Sequence, residues 1–92
     1  MIVRLRVFGP FEKYFGRARL EVELASGARM RDLWDAIDVR WGQNLPPEFW
    51  DSKEKHFRGP VTVRTQNTDV YDGDMPLSDG QEVWLLVVLG GG

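Results

Sequence analysis

The chain contains no cysteine in its 92 residues. That excludes disulfides, thiolate nucleophiles and cysteine-based metal sites, and it agrees with a reducing compartment. Histidine occurs once, at His56, within Lys53-Glu54-Lys55-His56 and with no second ligand beside it. This reads as a solvated surface histidine rather than a metal ligand or a base. Positive charge is not in excess: 12 Lys and Arg face 14 Asp and Glu, for a net charge of −2. No overall basic field is available to hold nucleic acid. No apolar run approaches the length of a membrane span, and Arg4 and Arg6 interrupt the one early apolar stretch, which argues against a signal peptide. A cytoplasmic protein of a single domain, residues 1–92, is expected, because this length supplies one core and not two. Neither a metal nor a bound cofactor is expected. Asp69, Asp72, Asp74 and Asp79 lie among glycines, but their spacing is not that of a calcium loop and no glutamate closes the set. They read as turn formers.

What is present is a set of clear periodicities. From Ile2 to Phe8, Val3, Leu5 and Val7 alternate with Arg4 and Arg6, the period of a half-buried strand. Gly9-Pro10 breaks it, and Phe11 to Gly16 reads as a wide turn whose aromatic residues cover an edge of the core. Leu20, Val22 and Leu24 then alternate with Glu21 and Glu23. In an antiparallel hairpin, Arg4 and Arg6 share an outer face with Glu21 and Glu23, and opposite charges across the ladder help to fix the register. After the turn Ala25-Ser26-Gly27-Ala28, the stripe Met30, Leu33, Trp34, Ile37, Trp41 has helical spacing. Asp32 suits the first turn of that helix, and Gly42 is expected to end it. Residues 43–59 have no clear period. Glu48 to Lys55 is expected to form one short helix anchored by Phe49 and Trp50. Val61 and Val63 mark a third strand, Gln66 to Asp69 a turn and Val70-Tyr71 a short return. The turn signals Asp72-Gly73-Asp74 and Ser78-Asp79-Gly80 follow. Glu82 to Leu89 is apolar on both faces, as a central strand would be. The order, a hairpin, a helix, then further strands with the most apolar one last, is that of an α+β protein of β-grasp type, a mixed sheet packed on one main helix.

Two features point to function. If Val83, Leu85 and Val87 face the helix, Trp84, Leu86 and Val88 face away, beside Arg4 and Arg6. With no second long helix to cover them, these residues form a candidate partner-binding surface, since a tryptophan flanked by arginine has the composition of an interface hot spot. Packing of Trp84 under the long loop is the competing arrangement, and self-pairing of the face into a homodimer is open. The second feature is Gly90-Gly91-Gly92, which follows the last strand without a linker. It is not a phosphate loop, because neither a helix nor a lysine follows. A carboxylate on a thin glycine tail can enter a slot that any Cβ would block, so the C-terminus is the candidate reactive group.

The chain resembles the ubiquitin-like sulfur carriers of the MoaD and ThiS family, above all the small subunit of molybdopterin synthase. The resemblance spans nearly the whole length. It rests on Val7-Phe8-Gly9-Pro10-Phe11-Glu12-Lys13-Tyr14-Phe15-Gly16, on Glu21 to Ala28 with Met30-Arg31-Asp32-Leu33-Trp34, on Pro76-Leu77-Ser78-Asp79-Gly80-Gln81-Glu82-Val83 and on the ending Gly91-Gly92. It implies that an E1-like adenylyltransferase uses ATP to activate the Gly92 carboxylate, that a sulfur donor enzyme converts it to a thiocarboxylate, and that a larger subunit of molybdopterin synthase type takes the sulfur for a molybdenum or tungsten pterin cofactor. Gly90 and Gly91 would give reach, and Trp84, Leu86, Val88, Arg4 and Arg6 would dock the partners. The carrier itself would contribute no general base. Three features depart from the family pattern. Leu86 to Gly90 replaces the aromatic pair and prolines, Arg29 stands where a threonine caps the helix, and the 43–59 segment is long and rich in tryptophan. A ubiquitin-like modifier joined through Gly92 to lysines, a thiamin-type carrier, or an interaction module with an inert tail are the alternatives.

Overall fold

A computed structural model describes residues 1–58, 60–66, 68–70 and 72–87. The elements in chain order are strand β1 (Ile2–Val7), helix α1 (Glu12–Phe15), strand β2 (Arg19–Glu23), helix α2 (Met30–Trp41), strands β3 (Trp50–Asp51), β4 (His56–Phe57), β5 (Val61–Thr65) and β6 (Thr68–Asp69), and strand β7 (Glu82–Val87). The main sheet runs in the order β2-β1-β7-β5-β6, and β3 pairs with β4 in a separate two-stranded ladder. β1 is antiparallel to β2 and parallel to β7, while β5 is antiparallel to β7. The sheet is therefore mixed, with β7 at its centre, as its apolar composition demands. This is the β-grasp arrangement.

Strand alternation decides the core. Val3, Leu5 and Val7 of β1, Val22 of β2, Val63 of β5 and Val83 and Leu85 of β7 are buried, and Met30, Leu33, Ile37 and Trp41 of α2 are buried with them. Each such side chain is worth roughly 1.5–3 kcal/mol when removed from water. The start of α2 is held in a way that the sequence conceals. Arg29, at the N-cap, makes no side-chain cap; instead its backbone N–H donates to the Asp32 carboxylate at 2.8 Å. The Met30 and Arg31 N–H groups, which have no intrahelical partner, donate to the carbonyls of Met75 and Gly73. The Arg29 guanidinium donates to the Asp74 carbonyl. The 72–75 turn is thus tied to the helix, and the Ile2 N–H donates to the Asp79 carboxylate at 2.7 Å, tying the following turn, 78–80, to β1.

Four sequence expectations need correction. The wide turn after Pro10 contains a 3-10 turn (Gly9–Phe11) and the helical turn α1, ended by Gly16 at φ 86°, a left-handed conformation that suits glycine. Gly42 does not end α2 in that way; its φ is −53° and the chain continues into a 3-10 turn over Gly42–Asn44. It is glycine because of a close approach: a Cβ there would meet the Asp38 Oδ1 at 2.7 Å, and that oxygen accepts the Trp50 indole N–H. The Glu48–Lys55 helix does not form. The Asp51 carboxylate accepts the N–H groups of Lys53 and Glu54, Lys55 takes φ 56°, and the chain reverses into the β3–β4 ladder. The return strand after β5 is Thr68–Asp69, earlier than Val70-Tyr71, and Asn67 and Tyr71 lie outside the described residues.

Candidate functional site

The outer face of the sheet is built by the even-numbered positions of the central strands. On β1 these are Arg4 and Arg6, with Phe8 just beyond; on β7 they are Glu82, Trp84 and Leu86; on β5 they are Thr62 and Arg64. The register sets Arg6 beside Trp84, Arg4 beside Glu82, Thr62 beside Leu86 and Arg64 beside Trp84. Trp84 and Leu86 are half-buried, whereas Val83 and Leu85, which alternate with them, are fully buried.

Trp84 is the hub. Its ring centroid lies 5.6 Å from that of Phe8, the Arg6 guanidinium stands 5.7 Å from its centroid and 5.2 Å from that of Phe8, and its indole N–H donates to Glu82. Arg6 is also 3.7 Å from the Glu82 carboxylate. The cation, the two rings and the carboxylate hold one another, which restricts the orientation of the indole ring.

The 43–58 segment does not cover this face. Phe49 packs on Phe11 and Tyr14, and Phe57 on Phe11 and Trp50. Trp50 is bonded to Asp38 of α2 at 2.9 Å. The segment closes the end of the core near the C-terminus of α2 and leaves Trp84 to its own neighbours. Thus Arg4, Arg6, Trp84 and Leu86 come together on one surface. Val88, Gly90, Gly91 and Gly92 lie outside the described residues.

Two sequence-proposed residues behave differently from expectation. His56 is half-buried in β4, with Nδ1 3.0 Å from the Phe57 carbonyl, rather than solvated. Arg4 stands opposite Glu21, but Arg6 stands opposite Arg19, so one of the two cross-strand pairs joins like charges. The aspartates do form turns, as with the Asp72 carboxylate accepting the Asp74 N–H at 2.8 Å. Among the described residues no group of three or more His, Asp or Glu could hold a metal ion, and no helix is long and apolar enough to cross a membrane. Asp51 has its carboxyl held below the usual range, first by the Glu54 N–H and then by the Lys53 N–H and the Arg58 guanidinium.

Comparison with solved structures bears on the fold. SAMP1 from Haloferax volcanii aligns over 100% of both chains with a TM-score of 0.79 at 16% identity. The Pyrococcus furiosus chain assigned as subunit 1 of a molybdopterin converting factor aligns over 95% of this chain and 97% of its own, with a TM-score of 0.72 at 27% identity. The Helicobacter pylori complex of subunits 1 and 2 of molybdopterin-converting factor contains a chain that aligns over 100% of both, with a TM-score of 0.65 at 21% identity. The chain has the fold of the ubiquitin-like sulfur carriers. No protein-family model and no curated protein matches it.

Within this sulfur-carrier fold, Phe8 and Glu82 are members of the outer face that the sequence reading passed over. The signal was available. Phe8 continues the parity of Arg4 and Arg6, and Glu82 that of Trp84 and Leu86, so both fall on the outer side by the period of 2 alone.

Proposed function

We propose that the chain is a sulfur carrier for pterin cofactor assembly, working through a thiocarboxylate on Gly92. The observation that carries the reading is the Arg6–Phe8–Glu82–Trp84 cluster beside Leu86 on the central strand that leads to the glycine tail. It supplies a pre-organised docking surface on the strand that precedes the tail in the chain. The similarity to molybdopterin converting factor subunits, one of which is seen in complex with its subunit 2, supports a partner-binding carrier. A carboxylate is a poor acyl donor; attack by the Gly92 carboxylate on ATP would release pyrophosphate and leave an acyl-adenylate. A persulfide sulfur on a donor enzyme would displace AMP, and a thiol would then cleave the resulting acyl disulfide, leaving the thiocarboxylate. An acceptor subunit would take that sulfur. The chain's own residues dock the partners and carry the tail.

A second reading, a modifier conjugated through Gly92 to lysines, draws support from the similarity to SAMP1, a small archaeal modifier protein. Both readings share the activation step. Deleting Gly91-Gly92 in the host should abolish pterin-dependent enzyme activity under the first reading. Branched Gly92–lysine peptides in a tryptic digest, with pterin-dependent activity intact after the deletion, would favour the modifier. Unchanged activity together with no such peptides would leave only an inert interaction module.

A further inference from the structure

Beside the Trp84 cluster the sheet carries a concavity lined by five arginines: Arg4, Arg6, Arg17, Arg19 and Arg40. Two glutamates, Glu21 and Glu82, line it as well. The excess is three positive charges in a chain of net charge −2, so the rest of the surface carries −5. Positive charge is thus concentrated at one place on a protein that is otherwise acidic.

The arrangement is costly to the fold. Ala18 accepts from the Val7 N–H and Leu24 donates to the Met1 carbonyl. The intervening pairs Arg4–Glu21 and Arg6–Arg19 therefore occupy the narrow, non-hydrogen-bonded positions of the ladder, with Cα atoms roughly 4.5 Å apart. Like charges placed directly opposite destabilise a sheet. Arg6 has Glu82 to offset it. Arg4, Arg17 and Arg19 make no ion pair among the described residues. Arg40 is partly spent: it donates to the Glu21 carbonyl at 3.3 Å and stacks on Trp41.

We infer that this concavity binds an acidic, extended segment of a partner protein. The inference rests on the reading of the outer sheet face as a docking surface and names what the partner must present there. Arg4 and Arg6 are two residues apart on one face of a strand, roughly 6.5 Å along it. An extended segment projects alternate side chains at the same interval, so carboxylates at every second position meet them in register. Guanidinium groups accept carboxylates in forked, paired hydrogen bonds. The parallel register of β1 and β7 sets Arg6 level with Trp84, three residues before Val87. A segment seated here therefore runs beside β7, the last strand, and orients the carrier relative to its partner. A nucleic-acid strand is disfavoured, since the lining holds no aromatic ring on which successive bases would stack.

The test is a titration of the full-length, isotope-labelled protein by nuclear magnetic resonance. The probes are a (Glu-Ser)4 peptide, a (Ser-Lys)4 peptide and a single-stranded oligouridine of equal length. The Arg17→Glu/Arg19→Glu variant is run in parallel, its fold checked from its own spectrum. The expected result is saturable shifts at Arg4, Arg6, Arg17 and Arg19 with the acidic peptide only, weakened at least tenfold by the double variant and by raising salt from 50 to about 300 mM. Deletion of Gly91-Gly92 should leave them unchanged, so failure of the sulfur-carrier chemistry and failure of this inference are separate results. No shifts with the acidic peptide, shifts confined to other residues, equal binding by the double variant, or tighter binding of the oligouridine would each overturn it.

Discussion

Leu85 and Leu86 are neighbours in β7 with the same side chain and opposite surroundings. Leu85 is fully buried against the helix face of the sheet, and Leu86 is half-buried on the outer face opposite Thr62. Truncating Leu85 to alanine removes three carbons from a close-packed interior and leaves a cavity. Such changes cost about 2–5 kcal/mol, and a value near 3 suits a position with no exposed surface. For a domain of this size each kcal/mol lowers Tm by roughly 4–8 °C, so Leu85→Ala should lose about 12–24 °C. Leu86→Ala leaves no enclosed cavity, because solvent reaches the site. Only part of the transfer free energy is lost, about 1 kcal/mol, or a fall of roughly 4–8 °C. Thermal unfolding followed by circular dichroism, with reversibility checked by a second scan, reads both. Equal losses, or a larger loss for Leu86→Ala, would show that the outer face is structural core under cover, and the docking surface would have to be abandoned.

Three further outcomes follow from individual contacts. Gly42→Ala should displace the Asp38 carboxylate from the Trp50 indole and cost about 1–3 kcal/mol, seen as a lower urea midpoint with an unchanged slope. Asp51 has a folded pKa below the usual 3.8, so its ionised form contributes stability above that value and the contribution disappears as pH falls through the lower folded value. The stability gap between the protein and Asp51→Ala should accordingly be constant from pH 5 to 7 and close progressively below about pH 4; a gap that widens on acidification would contradict the assignment. Arg19→Glu replaces a like-charge pair opposite Arg6 with an attractive one and should raise stability by about 0.2–1 kcal/mol at low salt, fading in high salt. A stability loss would mean that Arg19 is held by something other than its ladder position.

The elements with strong periodicity were legible in the sequence. Ile2–Val7 and Glu82–Val87 are strands, and Met30–Trp41 is a helix with the expected stripe, because the pattern itself states which face must be buried. Position 2 parity also gave the outer face, Arg4, Arg6, Trp84 and Leu86, from the alternation alone. The 43–58 segment was not legible, because nothing local decides its shape. Its fold depends on the long-range Asp38–Trp50 bond, on rings from four different elements and on a residue, Lys55, in a left-handed conformation. Gly42 misled for a related reason: its lack of a side chain serves a contact with Asp38 rather than a chain reversal. The Arg6–Arg19 pair escaped notice because hairpin register depends on the geometry of the turn as well as on the pattern of the strands. The helix cap was hidden in the same way, since Arg29 contributes its backbone and Asp32 the carboxylate.

The central claim is that Gly92 carries sulfur, and the intact mass of the protein tests it most directly. After incubation with ATP, an E1-like activating enzyme and a persulfide donor, the account predicts a gain equal to one oxygen replaced by one sulfur. Fragmentation should place that gain on Gly92, and it should be absent when ATP is withheld. An unchanged mass with activating enzymes that load other carriers of this fold, or a gain located on any other residue, would contradict it.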